Sequence, residues 1–225
     1  MADQHLLPSF YFDVLRTLEE IGAPYMIIGG FAAAAYGSTR VTFDIDIVVD
    51  LEEAHIQALA RRYPLPRYYA DPQQMHDSIR LGILFNLIDT ERGQKVDLVP
   101  ITMDPRYRQA LARRIRRSFE DPSGVESEAW FARPEDVIVG KLMAWAEGQS
   151  RRHEDDIYSM LVFTYLGEDQ WLTSEFDEVY VDQQARALGS EVATLWQRLK
   201  EAARQQVDGS GNDTGPEATD EEVSG

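Results

Sequence analysis

GGFAAAAYGSTRVTFDIDIVVD, Gly29 to Asp50, sets two carboxylates inside a run that otherwise has the make-up of a buried strand. Side chains alternate across a strand, so Asp44 and Asp46 share one face while Ile45 and Ile47 point into a core. A half-wet strand accounts for such a pair. So does a cation site, because two carboxylates a pleat apart can bridge a hard metal ion. Upstream, Gly29 and Gly30 close the apolar strand PYMII directly before the small-residue helix FAAAAYG. Without Cβ atoms they let a ligand approach the backbone, and a helix start offers N–H groups and a positive dipole end to a phosphate. Downstream, KVDLV offers Asp97 between Val96 and Leu98 on another strand.

Outward from this core, FYFDVLRTLEEIG has its apolar residues at helical spacing and stops at Gly22. EEAHIQALARRY reads as a helix and PLPRYYADPQQ as a loop leading into a short turn. IRLGILFNLID and QKVDLV read as strands joined by TERG, a hairpin-type connection. From Asp104 to Arg204 the pattern is helical apart from VESEAWFA, and the arginine-rich stretch to Ser118 is included in the first of these helices. The fold class expected is α+β: a small mixed β-sheet flanked by helices, followed by a C-terminal helical module. The division expected is a catalytic domain over 1–128, a helical domain over 129–206 and a disordered acidic tail over 207–225.

The chain has 225 residues, no Cys and a net charge of -17, which excludes disulfides and argues against a protein that coats nucleic acid non-specifically. Asp208 to Gly225 carries six acids, no base and no large apolar residue, too little to offset the entropy of ordering. Without it the net charge is -11, and the largest basic patch is Arg106 to Ser118, with six Arg and no acid. That run reads first as a solvated helix face and second as an RNA path. No long apolar run and no basic-then-apolar N-terminus is visible, so a cytoplasmic protein without a membrane partner is expected. His5, His55, His76 and His153 have no ligand spacing, which argues against zinc. Ser38 reads as a loop hydroxyl rather than a nucleophile.

The glycine pair, the 13 residues after it, and the D-x-D of Asp44 and Asp46 resemble the signature of the nucleotidyltransferase superfamily that includes DNA polymerase beta, with Asp97 standing where that family has its third carboxylate. The wording GGFAAAAYG, RVTFDIDI, FNLID, KVDLV and PEDVIVGKL is similar to small prokaryotic nucleotidyltransferases related to AbiE-type toxins of type IV toxin-antitoxin systems, over roughly Tyr25 to Met160. The resemblance implies a nucleotidyltransferase fold and metal-dependent transfer of a nucleoside monophosphate from an NTP to a hydroxyl. The acceptor could be a tRNA or other RNA end, a protein or a small molecule such as an antibiotic, and a non-catalytic nucleotide-binding regulator is the remaining reading.

It further implies that Asp44, Asp46 and Asp97 bind two Mg²⁺ ions, or Mn²⁺ in their place, and that Gly29, Gly30, Arg40 and Thr42 contact the nucleotide. Lys141 would neutralise the triphosphate, with a later Asp completing the site. RRHEDDIYSML offers Asp155 and Asp156 for that role, and Asp156, directly before Ile157, is preferred. An antitoxin protein is the partner the same resemblance suggests.

Overall fold

A computed structural model of the chain describes residues 9–40, 42, 44–120 and 126–210. Val41 and Phe43 of the expected strand, His5, and the tail from 211 lie outside the described residues. Seven strands form one mixed sheet in the order β3 (Tyr68–Tyr69), β4 (Phe85–Asp89), β5 (Gln94–Pro100), β2 (Ile45–Val49), β1 (Tyr25–Ile28), β7 (Glu126–Phe131) and β6 (Ile115–Glu120). β2 runs parallel to β5 and β1 parallel to β7, and the remaining neighbours are antiparallel. Ile45, Ile47, Val96 and Leu98 are buried in the centre, as the period-two pattern requires.

Helices α1 (Ser9–Glu20), α2 (Gly29–Ala34), α3 (Glu53–Arg62), α4 (Pro72–Leu81) and α5 (Pro105–Ala112) are interspersed with the strands. Five helices follow the sheet: α6 (Pro134–Gly148), α7 (Arg151–Leu166), α8 (Gln170–Glu175), α9 (Glu178–Leu188) and α10 (Ser190–Ser210). The architecture is therefore α+β, a mixed sheet with flanking helices and a C-terminal helical region. α2 packs on both α6 and α7, which joins that region to the sheet beside the end of β1. Gly37 makes the join possible: its φ is 94°, and a Cβ there would lie 2.3 Å from the Phe163 side chain on α7. No described helix is long and apolar enough to cross a membrane.

Three sequence readings are corrected. The stretch read as a loop and short turn contains β3 and the ten-residue α4. Asp71 caps α4 by accepting from the Gln73 N–H at 2.8 Å, Pro72 opens it, and Gly82 ends it at φ 65°. The strand expected from Ile79 consequently starts only at Phe85. The arginine-rich stretch is not one helix: α5 stops at Ala112, and Ile115 to Glu120 pairs with β7 along six residues. Cross-strand pairing overrides the helix propensity of Arg there, and Phe119 stacks on Phe12 of α1 with ring centroids 5.2 Å apart. α10 runs through Ser210, and half-buried Val207 prolongs the apolar stripe of Leu195, Leu199 and Ala203.

Candidate active site

The sheet register assembles one wall of the site. Asn86 lies beside Asp97, and Asp97 beside Asp46, on the adjacent strands β4, β5 and β2. Asp44 stands one residue before β2. Asp97 Oδ1 accepts from Asn86 Nδ2 at 2.5 Å and from Lys95 Nζ at 3.0 Å, and its Oδ2 accepts from the same ammonium at 2.9 Å. Lys95 Nζ also lies 3.7 Å from Asp44 Oδ1. Burial, and then the negative charges of Asp97 and Asp44, hold the Asp46 carboxyl above its ordinary value.

Gly29, opposite the end of this wall, has φ 71°, and a Cβ there would fall 2.1 Å from Asp46 Oδ2. Only glycine lets the chain turn that close to the carboxylate. At Gly30 a Cβ would sit 3.0 Å from Arg40 Nη2 and 3.1 Å from Thr42 Oγ1, so its bare backbone leaves room for both side chains. α2, which starts at Gly29, is only six residues long. Its dipole is correspondingly small, and the glycines matter here chiefly for close approach.

The opposite wall is cationic. Lys141 of α6 is buried and ion-paired with Asp156 of α7. Asp156 also accepts from Ser38 Oγ at 2.8 Å and from Arg40 Nε and Nη2 at 3.1 and 3.3 Å. Asp156, not the exposed Asp155, makes these bonds, and the Ser38 hydroxyl is a structural donor. Burial alone would raise the Asp156 carboxyl, but the bonds from Arg40 and Lys141 outweigh it and hold the group below its ordinary value. Burial lowers the Lys141 ammonium despite its partner.

Between the walls lies a cleft of about 400 Å³ lined by Gly29, Gly30, Arg40, Thr42, Asp44, Asp46, Asp97 and Lys141, with Asp156 holding Lys141 from behind. Sequence reasoning missed five of the residues gathered here. Arg152 and His153, at the start of α7, line the cleft beside Lys141, and Tyr107 of α5 closes another side. Asn86 and Lys95 engage Asp97. Two signals were available: Arg152 and His153 precede Asp156 by four and three positions, one helical face, and Lys95 shares a strand face with Asp97.

The donor set suits a hard divalent ion in its chemistry, since Asp44, Asp46 and Asp97 line one cleft with oxygen donors whose mutual repulsion added positive charge would relieve. Among the described residues, however, no group of three His, Asp or Glu side chains is drawn together tightly enough to hold an ion as it stands. The Lys95 ammonium lies between Asp97 and Asp44.

None of the arginines of the arginine-rich stretch lines the cleft, and several of them are paired with acids. Arg113 is ion-paired with Asp136 and stacks over Tyr180, Arg116 pairs with Glu19, and Arg117 bonds Asp169 at 2.9 Å. Arg114 lies over the Trp130 ring, 4.5 Å from its centroid.

No family model and no curated protein matches the chain. Among solved structures, it is similar to an antigenic nucleotidyltransferase-like protein from Paracoccidioides brasiliensis, at 15% identity over 82% of this chain and 89% of that one, with a TM-score of 0.44. It is also similar to JHP933 from Helicobacter pylori, at 14% identity over 94% and 98% of the two chains, TM-score 0.41. A third similarity is to the antibiotic-resistance factor ANT(2'')-Ia, at 15% identity over 89% and 92%, TM-score 0.34. Similarities this distant transfer no activity to the chain.

Proposed function

We propose that the chain is a metal-dependent nucleotidyltransferase that moves a nucleoside monophosphate from an NTP to a hydroxyl and releases pyrophosphate. The observation that carries this reading is the cleft with two walls of opposite charge: a row of carboxylates on adjacent strands facing Arg40, Lys141 and Arg152. A triphosphate needs both, cations for its outer oxygens and a carboxylate-held metal at the reacting phosphorus. A binding module has no need of three convergent carboxylates.

When bound, Mg²⁺ would polarise the α-phosphate and bring the acceptor oxygen into line with it, and Asp44, Asp46 and Asp97 would be its ligands. Gly29 and Gly30 would seat phosphate oxygens against bare backbone. Arg40, Lys141 and Arg152 would take the charge of the β- and γ-phosphates as the bond between the α-phosphorus and the bridging oxygen breaks. The acceptor oxygen forms the new bond to the α-phosphorus, and its proton passes to a carboxylate of the row. Asp156 positions Lys141 and does not touch substrate.

The pairing of Arg113, Arg116 and Arg117 with acids favours a protein or small-molecule hydroxyl over an RNA end as the acceptor. α-Labelled NTPs with Mg²⁺, offered separately to total RNA, a protein fraction and a small-molecule extract, test both levels of the reading. Label is expected in one fraction and absent from it with Asp46→Ala. If no fraction is labelled and no pyrophosphate appears with any NTP, transfer is refuted and a nucleotide-binding regulator takes its place.

A further inference from the structure

Lys95 is the unusual member of the carboxylate row. It reaches Asp97 from two positions upstream on the same strand face and contacts both carboxylate oxygens, at 3.0 and 2.9 Å, while lying 3.7 Å from Asp44. A magnesium ion binds carboxylate oxygen at roughly 2.1 Å and needs the lone pairs that point into the cleft. Asn86 already takes one position on Asp97 Oδ1, so an incoming ion and the ammonium would compete for what remains. They would also repel one another at close range.

We infer that Lys95 is a built-in cation that offsets part of the row's charge in the metal-free protein and must swing out when a divalent ion enters, so that it sets the affinity of the row for metal. This inference rests on the metal-dependent reading above. The surroundings give Lys95 somewhere to go: its side chain is 45% exposed, whereas those of Lys141 and Lys200 are 6% and 5% exposed. The residue type matters as well. Nineteen of the 22 basic residues are Arg, yet this position has a Lys. An Arg fork would bind Asp97 through two parallel bonds and resist displacement, while an ammonium makes a looser point contact that water replaces.

Binding of Mn²⁺, followed by the electron-spin signal of the free ion, gives a readout independent of activity. Lys95→Gln should bind Mn²⁺ on the order of tenfold more tightly than wild type, the loss of one half-exposed charged hydrogen bond that competes with the ion. Lys95→Arg, which keeps the charge, should bind it more weakly than wild type, and Asp46→Ala should bind none. In the unmutated protein the chain's three lysines allow a direct observation by carbon–proton NMR of the Cε groups. Added Mg²⁺ should move the Lys95 signal toward that of a free lysine and leave Lys200 in place. Equal Mn²⁺ affinity in wild type and Lys95→Gln, with a stationary Lys95 signal, overturns the role of Lys95 and leaves the metal reading standing. If no form of the protein binds Mn²⁺, the metal reading fails and this inference fails with it.

Discussion

Lys141 and Asp156, fifteen positions apart on consecutive helices, meet as a buried ion pair that Ser38 and Arg40 complete from the loop after α2. Removing one partner of such a pair strands a charge out of water, at a cost of about 3 kcal/mol. Asp156→Ala should therefore lower the melting temperature by about 9 °C for a chain of this size. The double variant Lys141→Met, Asp156→Leu should recover most of that stability and none of the NTP binding. Recovery of NTP binding in the double variant would show that the pair is architecture only.

Asp46 carries its charge in a crowded, partly buried place, so its ionised form is the one the fold disfavours. Asp46→Asn keeps the shape and removes the repulsion. In the absence of divalent ions the variant should melt about 2 °C above wild type, while losing Mn²⁺ binding. A variant that melts lower than wild type would mean that the carboxylates are not crowded in solution.

Arg113, Arg116 and Arg117 serve the fold. Arg113 covers the half-buried Asp136, and truncation to Ala should cost about 2 kcal/mol by leaving that carboxylate without its charged partner. Reversing Arg116 and Arg117 to Glu should leave RNA affinity and its salt slope unchanged, because both already face acids. A flattened salt slope would restore the RNA acceptor.

A pH effect is expected away from the cleft. Burial would raise the Glu178 carboxyl, but bonds from Tyr165 at 2.8 Å and Lys200 at 3.1 Å, with Arg204 beside them, outweigh it and hold the group below its ordinary value of 4.5. A depressed carboxyl contributes stability above its unfolded pKa and loses it as pH falls through the folded one. Wild type should thus exceed Glu178→Gln by about 1 kcal/mol at neutral pH, and the two melting curves should converge on acidification below 4.5. A gap that persists in acid would assign the effect to packing.

Much of the site was legible because its decisive residues sit on or beside short strands whose alternation is visible in one dimension: Asp46 between Ile45 and Ile47 with Asp44 just ahead of them, and Asp97 between Val96 and Leu98. Lys141 and Asp156 were reachable only through the resemblance, since nothing local to either helix says that they meet. α4 was missed although Asp71, Pro72 and Gly82 punctuate it, because the aromatic and proline-rich stretch before it looked like loop. β6 was missed for a different reason. LARRIRRSF satisfies both a helical and an alternating pattern, and only its partner β7, outside any local window, decides between them.

The two walls of the cleft are built from different materials. The carboxylates stand on neighbouring strands in the middle of a seven-stranded sheet, whereas Lys141, Arg152 and His153 ride on α6 and α7, reached through the single connection after Phe131. Amide hydrogens of β2 and β5 should exchange among the slowest in the chain, and those of Arg151 and Arg152, which open α7 without a side-chain cap, among the fastest. The spacing of Asp46 and Asp97 is thus fixed by the backbone ladder between their strands, whereas the place of Lys141 and Arg152 rests on the packing of α6 and α7 against α2.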